Sequence, residues 1–432
     1  MENLTKAESI FLQACDSVCK KNYKNRSVAD FRKSLLRDFS AQGLFPTRRI
    51  EDWHYTDLKN LLKTFPSSDE DRSNFFKRDF KCLVDESIRL LVGSGNSVYS
   101  FLEKKGVKLV PFSQIIANED AEYLCLDPID KHDAIGYINS LLVQDGYKLI
   151  IPDGCHLDVP IELQAVQYGG QMHLRYPIHF GVGSTSTVIE RYISPKDTSS
   201  LISSISDIRV CSGAKVVWII FQDQGVSDIH LGQTRIVLEG GSSLKIFVVN
   251  TGEGLVRREL SVAVEGENAD FMLRGISLLK GSTHNDLSMF LSHKVPNTSS
   301  TAIVRNIVLE KAKGVFQGMI RVSPEAQGSD ARMLSNTILL SDKGSFSVKP
   351  QLEIFADDVQ CGHGATIYDI NHDHLYYLMS RGISKSKAYI MLSHAFISEI
   401  IEDLNDELLE KHLEEILLSW MNINFRSYED VL

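Results

Sequence analysis

The sequence predicts a mainly β fold in which a parallel β-helix core is flanked by α-helical domains at both ends. Short runs rich in β-branched residues dominate residues 148–354, and no long amphipathic helix interrupts them. Turn clusters centred on Gly183, Gly213, Gly241 and Gly266 recur every 25 to 30 residues. That period indicates stacked coils of one strand–turn–strand unit. A β-sandwich has a similar texture but shows turns about every 8 to 12 residues, so the β-helix is favoured.

The first part of the chain is predicted to be helical. Apolar residues recur at helical spacing over residues 7–18 and again over 28–39. Gly43 is placed to end the second helix. An aromatic and charged segment, residues 45–58, then leads towards another helix. We therefore assign residues 1–145 to an N-terminal helical or mixed domain.

The middle of the chain carries both the weakest and the strongest patterns. A polar stretch at residues 67–74 predicts a surface loop, whereas residues 75–145 carry no pattern that decides between helix and strand. The β-branched runs follow, and the β-helix core is assigned to residues 146–366.

Residues 367–432 are predicted to form a C-terminal helical domain. One helix ends at Gly382, Ser384 is placed to cap the next, and a third helix runs over about residues 405–421. Ten acidic residues and two basic ones lie between residues 399 and 430, so this segment holds −8 of the formal net charge of −10.

Composition excludes several classes of protein. The chain has 432 residues with 56 acidic and 46 basic side chains, which argues against a nucleic-acid binder. No apolar run reaches the roughly 18 residues of a membrane span. The N-terminus has no basic region followed by an apolar one, so we expect a cytoplasmic protein. Seven cysteines without paired spacing are expected to be reduced thiols.

Common catalytic and nucleotide-binding motifs do not occur in the sequence. It has no G-x-x-x-x-G-K-[ST], no G-x-G-x-x-G between a strand and a helix, no G-x-S-x-G and no H-E-x-x-H. We therefore expect no nucleotide bound by this chain and no catalytic residue.

The segment D-D-V-Q-C-G-H-G-A-T, residues 357–366, is the strongest candidate site. Cys361 and His363 are two residues apart, so both point to one side of an extended segment, and Gly362 and Gly364 leave room for a ligand. A thiolate with an imidazole suits zinc, copper or an iron–sulfur cluster. Two residues cannot complete a four-ligand site, however, and a glycine-rich turn with a buried cysteine remains the alternative.

Five other groups have the residue types of a site but also an ordinary structural explanation. They are the Cys15–Cys19 pair on a helix, the adjacent Cys155 and His156, the helix-start residues His372 and His374, the neighbouring Asp357 and Asp358, and the aromatic run Trp53–Tyr55.

Several segments together resemble the SUF-system iron–sulfur assembly scaffold family, which comprises B-type and D-type subunits. They are E-D-W-H-Y-T-D-L at 51–58, V-I-E-R-Y at 188–192, G-V-F-Q-G at 314–318, P-E-A-Q at 324–327, D-A-R at 330–332, L-L-S at 339–341, K-P-Q-L-E-I at 349–354, D-D-V-Q-C-G-H-G-A-T at 357–366, Y-Y-L at 376–378 and S-R-G-I at 380–383.

The resemblance implies a right-handed parallel β-helix and a set of partners. The form of the C-x-H motif points to a D-type subunit, which has no known turnover. Such a subunit pairs with the B-type subunit, SufB, through the two β-helix cores. The ATPase SufC docks on the helical C-terminal region, here about residues 384–421. A homodimer is the expected assembly of the isolated chain.

The resemblance also assigns roles at the candidate site. The interface histidine of the family, which is thought to help bind a nascent iron–sulfur cluster, falls on His363, and the motif cysteine falls on Cys361. Gly362 stands where a serine is common in the family. The implied cluster is transient and shared with the partner subunit, which explains an incomplete ligand set.

Three other functions remain open at the level of sequence. They are a β-helix enzyme acting on polysaccharides, a homodimeric structural protein without a cluster, and the B-type paralogue of the same family.

Overall fold

A computed structural model describes residues 4–20, 26–66, 81–92, 105–118, 126–194 and 199–425. The surface loop expected at residues 67–74 lies outside the described residues.

Strands form the largest class of secondary structure in the described chain. They are β1 (Ile88–Leu91), β2 (Lys108–Pro111), β3 (Asp145–Ile151), β4 (Ile161–Val166), β5 (Gly170–Phe180), β6 (Thr185–Ile193), β7 (Ser200–Val210), β8 (Lys215–Asp223), β9 (Ile229–Leu238), β10 (Ser243–Asn250), β11 (Leu255–Val264), β12 (Asp270–Leu279), β13 (His284–His293), β14 (Ser299–Val308), β15 (Lys313–Val322), β16 (Asp330–Leu339), β17 (Ser345–Ile354) and β18 (Gln360–Tyr368).

Helices lie before and after the strands. They are α1 (Lys6–Lys20), α2 (Arg26–Ala41), α3 (Leu58–Leu61), α4 (Phe112–Asn118), α5 (Ala134–Leu142), α6 (His372–Ser380), α7 (Lys385–Ile401) and α8 (Glu407–Asn424), with 3₁₀ turns at Glu51–Trp53 and Glu402–Leu404. None of these helices is long and apolar enough to cross a membrane.

The strands form two parallel sheets of nine strands each, and the chain alternates between them. Sheet 1 contains β1 and the even strands from β4 to β18, and sheet 2 contains the odd strands from β3 to β17 together with the antiparallel strand β2. Lys215 aligns with Ser243, Ser243 with Asp270, and Asp270 with Ser299, which are 28, 27 and 29 residues apart. The predicted parallel β-helix and its period are confirmed.

The recurring turns have a common backbone cause. Gly183, Gly213 and Gly241 have φ of 65°, 69° and 65°, and each lies two residues before a strand of sheet 1. This left-handed conformation is costly for residues with a Cβ. In the next turn Asn268, at φ 59°, occupies that position instead of the predicted centre Gly266. A Cβ on Gly266 would lie 1.9 Å from the Gly240 nitrogen, so this glycine is required for close backbone approach.

Each helical region packs on the outer face of a different sheet. The inner faces of both sheets form one apolar core along the length of the β-helix. The N-terminal helices bury Phe11 and Ile138 against Leu231 on sheet 2. The C-terminal helices α7 and α8 bury Leu413 against Phe247 on sheet 1. This packing places helices on both sides of the β-helix.

The region without a sequence pattern contributes to both sheets. β1 pairs with β4 in sheet 1, and β2 pairs with β3 in sheet 2. Residues assigned from sequence to the N-terminal domain therefore extend the two sheets. The division at residues 145 and 366 stays a prediction.

Part of the acidic C-terminal segment faces the protein itself. Arg305 pairs with Glu399 at 2.6 Å, Arg274 pairs with Asp403, and the Lys245 ammonium donates to the Asp403 carbonyl at 2.8 Å. These bases lie on sheet 1, so two of the acidic side chains hold the helices on the sheet.

Candidate functional site

The C-x-H pair lies at an open end of the β-helix. Among the described strands, β18 forms the edge of sheet 1 and β17 the edge of sheet 2. Edge strands present unpaired backbone N–H and C=O groups that can pair with another chain. Ile354, Phe355 and Tyr368 expose 41%, 60% and 42% of their surface at this end. Such exposed apolar side chains are typical of an interaction surface.

Cys361 and His363 face the interior of that open end. In the parallel register Cys361 aligns with Ala331 and His363 with Met333, and both of these residues are buried in the main core. Aligned residues of neighbouring strands project to the same face of the sheet. Cys361 is half-buried against the core, whereas His363 is exposed. The two side chains therefore lie on one face, as the spacing predicts.

The two glycines of the motif differ in their surroundings. A Cβ on Gly362 would meet nothing within 4 Å, whereas a Cβ on Gly364 would lie 3.0 Å from the Leu334 side chain. The chain's own packing therefore does not require glycine at position 362, and the open space beside it is available to a partner.

The environment of Cys361 disfavours the thiolate. Burial raises the pKa of the Cys361 thiol, a hydrogen bond with the Ala331 backbone lowers it in part, and the Asp330 carboxylate raises it further. Metal ligation requires the thiolate, so a metal that binds here must displace the proton. Within the described part of the chain, no three His, Cys, Asp or Glu side chains converge as metal ligands.

The other candidate groups are not brought to this end. Cys15 is buried in the N-terminal core, and the Cys155 thiol contacts the Lys105 carbonyl at 3.7 Å beside an exposed His156. His372 lies on the exposed start of α6, where Asn371 caps the helix.

Asp357 and Asp358 lie in the turn before β18, and both are exposed. The Asp358 backbone N–H donates to the Gln327 side chain, and its carbonyl accepts from Gly328. The backbone of Asp358 therefore holds this turn against the preceding one.

A second set of polar contacts joins the segment 51–56, here called the strap, to sheet 2. The Trp53 ring lies 3.9 Å from the Arg257 guanidinium, which also donates to the Asp52 carbonyl at 2.8 Å. The Thr56 hydroxyl donates to Asp286 and contacts the His284 ring at 2.9 Å.

At the end of the strap, Glu51 pairs with Lys349 of β17 at 2.6 Å. The strap thus touches strands β11, β13 and β17, and Trp53 is covered by an arginine rather than open to a planar ligand. The sequence carries no local signal for these contacts because the partners are some 200 to 300 residues away.

Comparison with protein families covers almost the whole chain. Residues 5–163 match the SufBD protein N-terminal region, and residues 164–396 match the SufBD core domain described as SUF system FeS cluster assembly.

Individual relatives agree with these matches. The chain is 27% identical to the iron–sulfur cluster assembly protein SufD of Escherichia coli, over 88% of this chain and 89% of the relative. It is 25% identical to protein ABCI7, chloroplastic, of Arabidopsis thaliana, over 85% and 82%. The iron–sulfur cluster assembly protein SufB of Bacillus subtilis is 25% identical over 62% of this chain and 58% of the relative.

The parallel β-helix and these matches together define an iron–sulfur cluster assembly protein. The chain belongs to the SufBD family. Within that family it is of the SufD type, since the SufD match extends along most of both chains whereas the SufB match covers less than two thirds of each.

Proposed function

We propose that this chain is a non-catalytic scaffold subunit that pairs with a SufB-type subunit and docks a SufC-type ATPase, so that a nascent iron–sulfur cluster forms at the interface between the two β-helices. The observation that carries this proposal is the half ligand set of Cys361 and His363, which faces the open end of the β-helix.

The open end suits a second β-helix as its partner. The free edges of β17 and β18 can be extended by the strands of another chain, which would satisfy their backbone groups. The exposed Phe355 and Tyr368 would then lose contact with water. A second copy of this chain could cover the same edges in isolation, which is the homodimer expected from the sequence.

The donor set fits an iron–sulfur cluster as cargo. Thiolates and imidazoles are ligands that such clusters use. Cys361 and His363 supply one of each from this chain, and the partner would supply the remaining thiolate ligands. Burial raises the pKa of the Cys361 thiol, so iron that binds here would displace its proton.

The helical C-terminal region provides a surface for the ATPase. On α7 and α8, Met391 and Leu408 expose 42% and 43% of their surface, while Leu413 and Leu417 are buried on sheet 1. Because the sequence contains no P-loop, ATP hydrolysis would come from the docked subunit. Family membership favours this function over a polysaccharide-active enzyme, and the cytoplasmic location stays a prediction.

Replacing His363 with alanine should leave the complex intact and lower cluster assembly at least roughly tenfold, since loss of even an outer-shell partner of a metal site commonly costs about 10- to 100-fold. The complex is co-expressed anaerobically with the SufB-type and SufC-type subunits, and its iron and sulfide content is measured. His156→Ala, another exposed histidine, serves as the matched control. Normal iron and sulfide content in the His363→Ala complex would show that His363 does not take part in cluster binding.

The docking surface can be tested independently of the cluster. Met391→Glu with Leu408→Glu should reduce co-purification of the ATPase subunit by about tenfold, because two carboxylates would replace apolar contact. Val182→Glu with Val226→Glu is the matched control, since these valines are exposed on turns of the β-helix. Equal ATPase recovery in both double variants would place the docking surface elsewhere.

A further inference from the structure

A cavity of about 390 Å³ lies between the strap and the outer face of sheet 2. Its floor is a row of four side chains, Ser261, Phe290, Met319 and Gln351, which are in register on β11, β13, β15 and β17. One wall carries Asp52 of the strap, and another carries Asp130 of the loop before α5. We call this cavity the groove.

The shape of the groove suits an extended ligand. Neighbouring strands are about 4.8 Å apart, so a row across four strands spans roughly 14 Å. The row runs along the axis of the β-helix and ends on β17, the edge strand at the open end. A chain that reaches the open end can therefore continue into the groove.

The floor has unused contacts of two kinds. The Ser261 hydroxyl and the Gln351 amide make no hydrogen bond in the described structure, and Phe290 exposes 36% of its surface. Ligand sites typically combine an apolar lining with a few polar groups that orient the ligand. Two apolar side chains between two polar ones, at strand spacing, suit a polypeptide backbone with its side chains.

The walls add unbalanced negative charge. Glu259 pairs with Arg257 and Asp133 pairs with Arg235, so these groove carboxylates already have cationic partners within the chain. Asp52 and Asp130 have no cationic partner among the described residues, and both are exposed. His132 also lines the groove. The remaining charge therefore favours a ligand that carries a cation.

We propose that an extended segment of the SufB-type partner subunit, carrying a lysine or arginine, lies in this groove. The inference rests on the proposed function, because it takes the partner at the open end as given. The continuity of the groove with β17 and its two unpaired carboxylates support the choice of occupant. The segment adds a contact outside the β-helix interface and leaves the cluster ligands untouched.

The affinity of this chain for the purified SufB-type subunit tests whether the groove carboxylates contribute to binding. Asp52→Asn with Asp130→Asn should weaken binding about three- to tenfold at low salt, and its affinity should depend less on salt than that of the wild type. Asp85→Asn with Glu86→Gln removes two exposed carboxylates near β1, at the other end of the β-helix, and should change nothing. Equal affinities for the two double variants overturn the groove proposal while pairing itself stands. Failure of the wild-type chain to bind SufB overturns both.

A photocrosslinker identifies the occupant. p-Benzoylphenylalanine introduced at Ser261 in the purified complex should crosslink to a lysine- or arginine-bearing segment of the partner, located by mass spectrometry. The same amino acid at the exposed Val226 should give no crosslink to that segment. Absence of a partner crosslink from Ser261 overturns the proposal.

Discussion

Replacing Arg257 with methionine is expected to lower the free energy of unfolding by about 3 to 5 kcal/mol, the range found when one partner of a buried ion pair is removed. Arg257 is 1% exposed, pairs with Asp286 and Glu259, and covers the Trp53 ring. Burial lowers the pKa of the Arg257 guanidinium, but Asp286 and Glu259 outweigh burial and hold the pKa above its usual value.

The large loss of stability expected for Arg257→Met comes from the carboxylate that loses its arginine. Asp286 is fully buried, and among the described residues the donors that its carboxylate keeps without Arg257 are the hydroxyls of Thr56 and Ser288. The strap also loses its stacking partner and the hydrogen bond to the Asp52 carbonyl. We therefore expect the segment around Trp53 to become sensitive to proteases at temperatures where the β-helix remains folded.

Two further variants separate this explanation from a general loss of arginine. Arg332→Met removes an arginine that pairs with Asp330 at 3.0 Å but is 65% exposed, and it should cost less than about 1 kcal/mol. Arg257→Met combined with Asp286→Asn should recover part of the lost stability, because the fully buried side chain at 286 then carries no charge and only the partly exposed Glu259 lacks its arginine. Chemical denaturation measures all three. A double variant less stable than Arg257→Met alone would contradict the buried-charge explanation.

The β-helix could be predicted because each coil repeats the same local requirement for a turn residue. A left-handed turn residue must recur once per coil, and Gly183, Gly213 and Gly241 record it directly. Individual strands were harder to predict. β7 reads S-L-I-S-S-I-S-D-I-R-V, and its serines suggest a loop, yet Ser203, Ser204 and Ser206 are fully buried. Their hydroxyls bond to side chains of β5, β9 and β6 respectively. Only the stacked coils supply the partners that make such a strand stable.

At the candidate site, too, some features follow from neighbouring residues and others depend on residues far away in the sequence. The shared orientation of Cys361 and His363 follows from strand alternation, which two residues suffice to reveal. The strap contacts do not follow from any short pattern, because Asp52 and Arg257 are 205 residues apart. Local periodicity therefore predicts which face of a strand a residue occupies, but not which distant residue it contacts.

Net charge has a similar limit. The composition places −8 on residues 399–430, which suggests a surface that faces a partner. In the structure Glu399 and Asp403 turn towards Arg305 and Arg274 on sheet 1 instead. For the proposed ATPase docking, the available charge is correspondingly smaller than the sequence suggests, which favours apolar contacts such as Met391.

Acidification should destabilise the β-helix through His293. The imidazole is fully buried, with its Nδ1 2.7 Å from the Thr298 hydroxyl and its Nε2 2.9 Å from the Ser300 hydroxyl. Burial lowers the pKa of His293 from 6.5 to about 4. Above pH 6.5 the imidazole is neutral in both the folded and the unfolded chain, so it contributes no pH dependence.

Between pH 6.5 and about 4 the unfolded chain binds a proton that the folded chain does not, so stability falls as the pH falls. The loss from this residue reaches about 3 kcal/mol at pH 4, since one pKa unit corresponds to about 1.4 kcal/mol. The buried His230 and the half-buried His284 also have lowered pKa values and add to the decline of the wild type. The contribution of His293 must therefore be taken as a difference from a variant.

His293→Gln keeps hydrogen-bonding groups but does not titrate, so its free energy of unfolding should decline less steeply than that of the wild type below pH 6.5. Urea denaturation at a series of pH values measures the difference. His372→Gln is the control, because His372 is 75% exposed and should leave the pH profile unchanged. Parallel profiles for the wild type and His293→Gln would show that His293 takes up its proton in the folded chain as readily as in the unfolded one. The coil around it would then have to be open to water, and a dry, closed β-helix core would be contradicted at that position.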